Sequence, residues 1–246
     1  MFEELNSFLS PPTLSSIKKA LFIQPHPDDN EIGAGGTMAY LIEQGAEVYE
    51  LTVTDDRFSS DSMSGDKLIE LRKNEALAAM KVLGVKNAGF LGFSDKTGAS
   101  IEEIAAAILP IIRSIQPDAV FCVDPNLPDE CHSDHVKVGT AVRYCIMDAE
   151  IKNYPEREDN TAHEDAFSIN VYGQYFTNRP NTVLNIEPFK EKKYEAIKCH
   201  ASQCTPELLM ILEVQSSILA EGTEYDYVER LHLLSAIHKH CFVLPI

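Results

Sequence analysis

The sequence has few basic residues, and this shortage narrows the classes of partner that it can bind. The 246 residues include 21 Lys and Arg against 38 Asp and Glu, a formal net charge of −17 at pH 7. A surface of that charge repels the phosphate backbone of nucleic acids and the headgroups of anionic membranes alike. We therefore expect no nucleic-acid partner.

Long apolar runs and paired cysteines are also missing. No stretch is long enough to span a bilayer, and the N-terminal segment MFEELNSFLSPPTLSSIKKALF lacks the apolar core of a signal peptide. The six cysteines include no C-x-x-C pair. In a chain of this size without an export signal, we expect them to be reduced thiols. These absences predict a cytoplasmic protein without a membrane span.

The sequence does contain a regular alternation of short apolar runs and helical periods. Apolar runs suited to buried strands occur at Ala20–Pro25, Glu47–Thr54, Ala88–Phe93 and Asp118–Val123. Apolar residues recur every three or four positions in Gly33–Gly45, in 67–84, in Ile101–Ile115 and from about Asp134 onward. The alternation predicts an α/β fold with a Rossmann-like, mostly parallel sheet flanked by helices. Pro110 predicts a kink in the third helix, or its division in two.

The alternation loosens after about Glu150. Residues 151–165 are charged and rich in turn formers, so we expect an exposed loop, which can serve as a lid or an oligomer contact. Two more strands are predicted in 167–176 and 181–186, and two helices in Glu187–Cys199 and Pro206–Ala220. No segment resembles a flexible linker, so we predict a single domain over residues 1–246 with a C-terminal elaboration.

Charged side chains crowd the end of the first predicted strand, in the stretch LFIQPHPDDNEIGAGG. In open α/β sheets ligands bind beyond the carboxyl ends of the strands, so His26, Asp28 and Asp29 should project into that crevice. An alternative is that Asp28, Asp29 or Asn30 only caps the following helix, with Glu31 complementing its positive end. A dinucleotide site is disfavoured, because the glycines lack the G-x-G-x-x-G spacing.

A second polar segment, VDPNLPDECHSDHVKVG, follows the fourth predicted strand and contains His132, Asp134 and His135. Each of these residues alone is most simply a surface group or a helix cap. Two histidines and one carboxylate from different loops, however, form the three-ligand set of a catalytic zinc site, with a fourth position open for water. The two segments together therefore predict a metal centre.

These motifs resemble the LmbE/PIG-L family of metal-dependent N-deacetylases, in which H-P-D-D and a glutamate precede a distant H-x-D-H. Three further segments are similar to that family in the same order: LRKNEALAAMKVLGV, FLGFSD and KKYEAIKCHASQ. The resemblance thus covers most of the chain. One departure is Ser133, which stands where the family often has proline and which can loosen the loop that bears His132 and His135.

The resemblance implies a ligand set of His26, Asp29 and His135 for a divalent metal. Zn²⁺ is the expected ion, and other divalent ions such as Fe²⁺ accept the same ligands. Cys131 is a weaker alternative ligand, since the site already has three ligands without it.

The resemblance also implies the residues that move protons. Zinc lowers the pKa of its bound water to about 7, and Asp28 is predicted to be the general base that takes the proton. His132 is predicted to protonate the leaving amine. Asp134 is predicted to bond the His132 imidazole and fix its tautomer, or to cap the helix, or both.

For other residues the resemblance implies less specific roles. Arg72 and Asp95 are predicted to bind the substrate, against the alternatives of a helix charge paired with Glu75 and a turn residue. Glu31 is predicted to support a metal ligand from outside the coordination shell, or only to favour the start of the helix. His200 and Gln203 match the family pattern, but their residue types predict only packing or helix capping.

The resemblance implies a small-molecule amide substrate, and VDPNLP is similar to deacetylases that act on chito-oligosaccharide or glucosaminyl substrates. The expected substrate is therefore an N-acetylglucosamine-type amino sugar. The chain has no Trp, so Tyr, Phe or polar groups would have to bind the ring. Two alternatives stay open: a metal-dependent hydrolase that acts on a non-sugar amide, and a binding module without catalysis. The sequence also leaves a homo-oligomer open.

Overall fold

The fold is built on one twisted sheet, which brings the two polar segments to the same edge. The computed structural model describes residue 10 and residues 12–240, so residues 1–9, residue 11 and residues 241–246, which include Cys241, lie outside the described residues. The strands are β1 Lys19–Gln24, β2 Glu47–Thr54, β3 Lys86–Phe93, β4 Ala119–Val123, β5 Val171–Tyr175, β6 Thr182–Asn185 and β7 Val228–Ser235. The helices are α1 Asp29–Glu43, α2 Asp66–Leu83, α3 Ile101–Ile115, α4 Ser133–Asp148, α5 Lys190–Cys199 and α6 Pro206–Ala220.

The order of the strands places the polar loops. In the described residues the sheet runs β3-β2-β1-β4-β5-β7-β6, and β1 to β5 pair in parallel while β7 is antiparallel to β5 and β6. The chain order reverses between β1 and β4, so the loops that follow these neighbours diverge and leave a crevice at the sheet edge. The predicted single α/β domain with a mostly parallel sheet is confirmed.

The core holds β1 and β4 rigidly side by side. Both strands are buried almost throughout, as expected for central strands of a sheet covered on both faces. Phe22 and Phe121 stack with ring centroids 4.4 Å apart. Gly173 lies directly against Phe121, since an added Cβ would come within 2.2 Å of its ring. A rigid pair of strands is a suitable base for loops that must hold polar groups at fixed distances.

The glycines after the first motif serve packing. A Cβ at Gly33 would lie 2.2 Å from the Tyr175 ring, and one at Gly36 would lie 2.6 Å from Ile186. The backbone N–H of Gly36 donates to the buried Glu229, whose carboxylate also pairs with Lys193 at 2.7 Å. The glycines therefore let α1 approach the rest of the fold closely, a role that requires no phosphate ligand.

Three details differ from the sequence-based expectations. α1 begins at Asp29 rather than Gly33, because tertiary packing outweighs the poor helix propensity of its glycines. α3 continues through Pro110 as one helix, so the division into two helices is wrong. β7 was not predicted, because charged residues interrupt its apolar pattern. None of the helices in the described part of the chain is long and apolar enough to cross a membrane.

Candidate active site

The backbone turns sharply at Asp28, between β1 and α1. Its φ of 117° is a left-handed conformation that costs a non-glycine residue about 1–3 kcal/mol. Asp28 occupies the N-cap position without a side-chain capping bond. The Asp29 carboxylate reaches back to the N–H of His26, and the Asn30 amide oxygen accepts from the Tyr175 hydroxyl. Helix capping therefore does not explain these three side chains.

Asp29 lies between two histidines that come from different loops. Its Oδ2 is 3.3 Å from Nδ1 of His26, and its Oδ1 is 3.4 Å from Nε2 of His135. Both residues of the first loop are buried, at 8% exposure for His26 and 7% for Asp29. The structure thus brings together the three residues that were predicted to bind a metal.

The far nitrogen of His26 faces two other carboxylates. Its Nε2 is 3.5 Å from Oδ1 of Asp95 and 3.5 Å from Oδ2 of Asp134. These separations exceed an ordinary hydrogen bond, and Nε2 is a buried atom without a hydrogen-bond partner among the described residues. Asp95, predicted to bind the substrate, is 4% exposed and lies beside a predicted metal ligand instead.

His135 has a corresponding outer carboxylate, Glu130, whose Oε2 lies 3.0 Å from its Nδ1. The other oxygen of Glu130 accepts the backbone N–H of His132 at 2.7 Å. Sequence reasoning missed Glu130, although it lies only two residues before His132. The available signal was that a carboxylate commonly bonds the outer nitrogen of a metal-ligating histidine.

Asp134 does not make the predicted bond to the His132 imidazole. Its carboxylate accepts the backbone N–H groups of Lys96 at 2.8 Å and Thr97 at 3.1 Å, so it ties the start of α4 to the loop after β3. Nε2 of His132 lies 3.1 Å from Nζ of Lys96, and its Nδ1 has no hydrogen-bond partner among the described residues. The contact is absent because neighbours two positions apart at a helix start face different directions.

The pKa shifts show how strongly the carboxylates act on the buried histidine. Burial lowers the pKa of His26, but its contacts with Asp134, Asp29 and Asp95 outweigh burial and raise it to about 12. Burial opposes ionisation of Asp29, but the hydrogen bonds to His135 and His26 hold its pKa far below the ordinary value. Burial, with the charge of Asp29, raises the pKa of Asp28 to about 8.

Donor atoms that suit a divalent cation surround His26, although neither of the two tight clusters includes Asp29. The described residues include two groups whose ligand atoms all lie within 4.8 Å of one another: His26 with His132 and His135, and His26 with Asp95 and Asp134. Nitrogen and carboxylate oxygen donors suit zinc, iron and related ions. Metal binding displaces protons from such ligands, so a centre that holds a proton between carboxylates can accept a cation in its place.

Arg72 lies beneath the loop that follows β2. Its guanidinium is completely buried, with Nε 3.0 Å from Asp56 Oδ2 and Nη2 donating to the Ser59 hydroxyl at 2.8 Å. The alternative pairing with Glu75 is also present, at 3.6 Å. No part of the guanidinium is exposed for the predicted contact with a substrate, and its role stays a prediction.

Glu31 is also fully buried and lies next to the C-terminal motif. Its Oε2 is 3.6 Å from Nε2 of the buried His200, and Gln203 donates to Asp56 at 3.5 Å. Burial lowers the pKa of His200, but its contact with Glu31 outweighs burial, and the net shift is upward. The motif that residue types alone did not explain therefore anchors the C-terminal segment beside the first loop.

A comparison with known protein families shows to which family a chain with this crevice belongs. Residues 21–146 match the model of the family described as PIG-L: GlcNAc-PI de-N-acetylase. That range runs from β1 through most of α4 and contains every predicted site residue. The chain belongs to the PIG-L (LmbE-like) family.

Individual members of the PIG-L family are similar over most of the chain. The diacetylchitobiose deacetylase of Thermococcus kodakarensis is 32% identical over 232 residues, 92% of this chain and 86% of that protein. A 1D-myo-inositol 2-acetamido-2-deoxy-alpha-D-glucopyranoside deacetylase of Kineococcus radiotolerans is 30% identical over 189 residues, 61% of this chain and 52% of that protein. The structure of N,N'-diacetylchitobiose deacetylase from Pyrococcus horikoshii, with its inhibitor, superposes with a TM-score of 0.85 at 28% identity and covers 98% of this chain and 95% of that one.

Membership of the PIG-L family confirms the predicted enzyme class, an N-deacetylase. The family is metal-dependent, and the crevice contains a set of histidine and aspartate side chains that can hold a metal. The identity of the metal and the individual residue roles stay predictions.

Proposed function

We propose that the chain is a zinc-dependent hydrolase that removes the acetyl group from an N-acetylglucosamine-type substrate. This substrate class comprises N-acetylglucosamine itself, chito-oligosaccharides and glucosaminyl conjugates. Support for the class comes from the relatives named as deacetylases of diacetylchitobiose and of an acetamido-deoxy-glucopyranoside.

The observation that carries the proposal is the position of Asp29 between His26 and His135. Nδ1 of His26 and Nε2 of His135 face its carboxylate at 3.3 and 3.4 Å. The other nitrogen of each ring faces a different carboxylate. This is the arrangement by which proteins orient metal-ligating histidines. We assign the metal to these three residues.

A divalent cation held there would supply Lewis acidity, which polarises an amide carbonyl and makes water more acidic. Asp28 is then the general base. Its carboxylate lies beside the ligand Asp29 and caps no helix. A cation at the site would favour the ionised form of Asp28, which can take a proton from the attacking water. The water oxygen bonds to the amide carbon, and cleavage of the C–N bond yields acetate and the amine.

The leaving nitrogen needs a proton, and we assign its donation to His132. The His132 ring lies at the same centre, with its centroid 4.4 Å from that of His26 and 5.1 Å from that of His135. Burial lowers the pKa of His132, and the positive charge of Lys96 lowers it further. A lower pKa makes the protonated ring a stronger acid, which favours transfer to the amine.

Asp134 contributes to this mechanism by positioning other groups. It faces Nε2 of His26 and holds the backbone of Lys96, whose ammonium group approaches His132. Asp134 thereby supports the site through a ligand and a loop rather than through a direct bond to His132.

Release of acetate from a panel of amides tests the proposal. Purified protein with measured zinc content should release acetate from N-acetylglucosamine, diacetylchitobiose or a glucosaminyl conjugate, and chelation should abolish the activity. Asp159→Asn, in the exposed loop, is a control of matched charge and should retain full activity. Acetate release only from non-sugar amides would contradict the substrate class, and no release from any amide would favour the binding-module alternative. The cytoplasmic location and a homo-oligomer stay predictions.

A further inference from the structure

Glu130 uses both of its carboxylate oxygens on the histidine segment of the site. Oε1 accepts the backbone N–H of His132 at 2.7 Å, and Oε2 lies 3.0 Å from Nδ1 of His135. The side chain is 19% exposed and so is partly shielded from water. The sequence motifs assign no role to this residue.

The contact with His135 determines which of its nitrogens can bind a cation. An ionised carboxylate only accepts hydrogen bonds, so the ring proton of a neutral His135 belongs on Nδ1. Nε2 then carries the free lone pair, and this is the nitrogen that lies 3.4 Å from Asp29. Glu130 therefore favours the tautomer that the proposed metal site requires.

The contact with His132 fixes the position of the second histidine. His132 is the N-cap residue of α4, and its own side chain makes no capping bond. A glutamate that only stabilised the start of the helix would need the bond to the His132 N–H alone. The second bond, to the ring of His135, points to a role in orienting the site.

We propose that Glu130 is a positioning residue, which holds His132 in place and presents Nε2 of His135 to the metal. The proposal rests on the proposed function for its metal ligands. Glu130 touches neither the substrate nor the reacting atoms, and it acts through the two histidines.

The test compares Glu130→Ala and Glu130→Gln with Asp129→Asn. Asp129 is the exposed neighbour in the same loop, and none of the hydrogen bonds in the described part of the chain involves its carboxylate. We expect Glu130→Ala to weaken zinc binding by about 10- to 100-fold in a competition titration with a chromophoric chelator. Glu130→Gln retains an acceptor oxygen and should lose less, and Asp129→Asn should stay within about twofold of wild type. Zinc affinity within twofold of wild type in folded Glu130→Ala would overturn the proposal.

A second readout separates this proposal from the proposed function. Nitrogen-15 NMR of the imidazoles in the metal-free protein should show His135 protonated on Nδ1 in wild type and a mixture of tautomers in Glu130→Ala, a change that a merely structural role would not produce. An unchanged tautomer would overturn the proposal, whether or not the wild type releases acetate. Absence of acetate release, with the zinc affinity still dependent on Glu130, would contradict only the proposed function. If Glu130→Ala fails to fold, the titration and the NMR comparison are decided on Glu130→Gln.

Discussion

Asp29 and His135 lie far apart in the sequence, yet Oδ1 of Asp29 is 3.4 Å from Nε2 of His135. The sheet produces this contact, because β1 and β4 are parallel neighbours and each delivers its loop to the same edge. In the proposed mechanism Asp29 joins the two loops around one cation, and the adjacent Asp28 acts on water.

Asp28→Asn should remove the general base and leave the metal ligands in place. We expect kcat to fall by about 10²- to 10⁴-fold, because the amide cannot take the proton from the attacking water. The measurement is the rate of acetate release at equal zinc content, with Asp159→Asn as the control. A loss smaller than tenfold would show that another group is the base.

His26→Ala and His135→Ala should each lower the bound metal. Each substitution removes one of the three proposed ligands, and His26→Ala also removes the imidazole that faces Asp29 and Asp134. The measurement is zinc content by elemental analysis after dialysis, with His163→Ala in the exposed loop as the control. Stoichiometric zinc in both site variants would refute the ligand assignment.

Arg72→Met should destabilise the fold strongly. The substitution leaves the buried Asp56 and Glu75 carboxylates without their cation, a change that costs about 3–5 kcal/mol in the free energy of unfolding. Arg72→Lys keeps the charge and should cost less. Urea unfolding measures both variants. A difference below about 1 kcal/mol for Arg72→Met would mean that the ion pairs contribute little and would contradict this structural role.

Glu50 should make the stability depend on pH. Burial, followed by the charge of Glu31, raises the pKa of Glu50 well above 4.5 in the folded chain, while Gln24 donates to its Oε1 at 3.0 Å. The folded state keeps a proton that the unfolded chain releases. The contribution of the protonated Glu50 to the free energy of unfolding is therefore complete below pH 4.5, and it is lost as pH rises toward the raised pKa.

Glu50→Gln has no ionisable group at this position, so the variant does not lose this stability as pH rises. Its free energy of unfolding relative to wild type should therefore increase with pH, by up to about 1.4 kcal/mol per pH unit. Urea unfolding at several pH values from about 5 to about 9 measures the difference. Glu47→Gln, at the exposed end of the same strand, should show little change over this range. A pH-independent difference for Glu50→Gln would contradict the shift.

Sequence reasoning located the polar residues better than it predicted their contacts. The strand ends and motif spacing brought His26, Asp29 and His135 to one crevice, because parallel strands place their carboxyl ends together. The bond between Asp134 and His132 was inferred from proximity in sequence, but it is absent because Asp134 faces the loop after β3. Such contacts depend on side-chain direction, which motif spacing does not determine.

The residues that sequence reasoning missed are those that depend on long-range packing. The pairing of His200 with Glu31 joins two segments from opposite ends of the chain. The bonds from Gly36 and Lys193 to Glu229 depend on β7, whose charged residues hid its apolar pattern. No local periodicity predicts partners at such separations.

The most direct test of the metal site is anomalous diffraction at the zinc edge from crystals of the zinc-loaded protein. The account predicts a strong peak within about 2.0–2.2 Å of Nδ1 of His26, an Asp29 oxygen and Nε2 of His135. A peak between Asp95 and Asp134, with Asp29 left uncoordinated, would contradict the account.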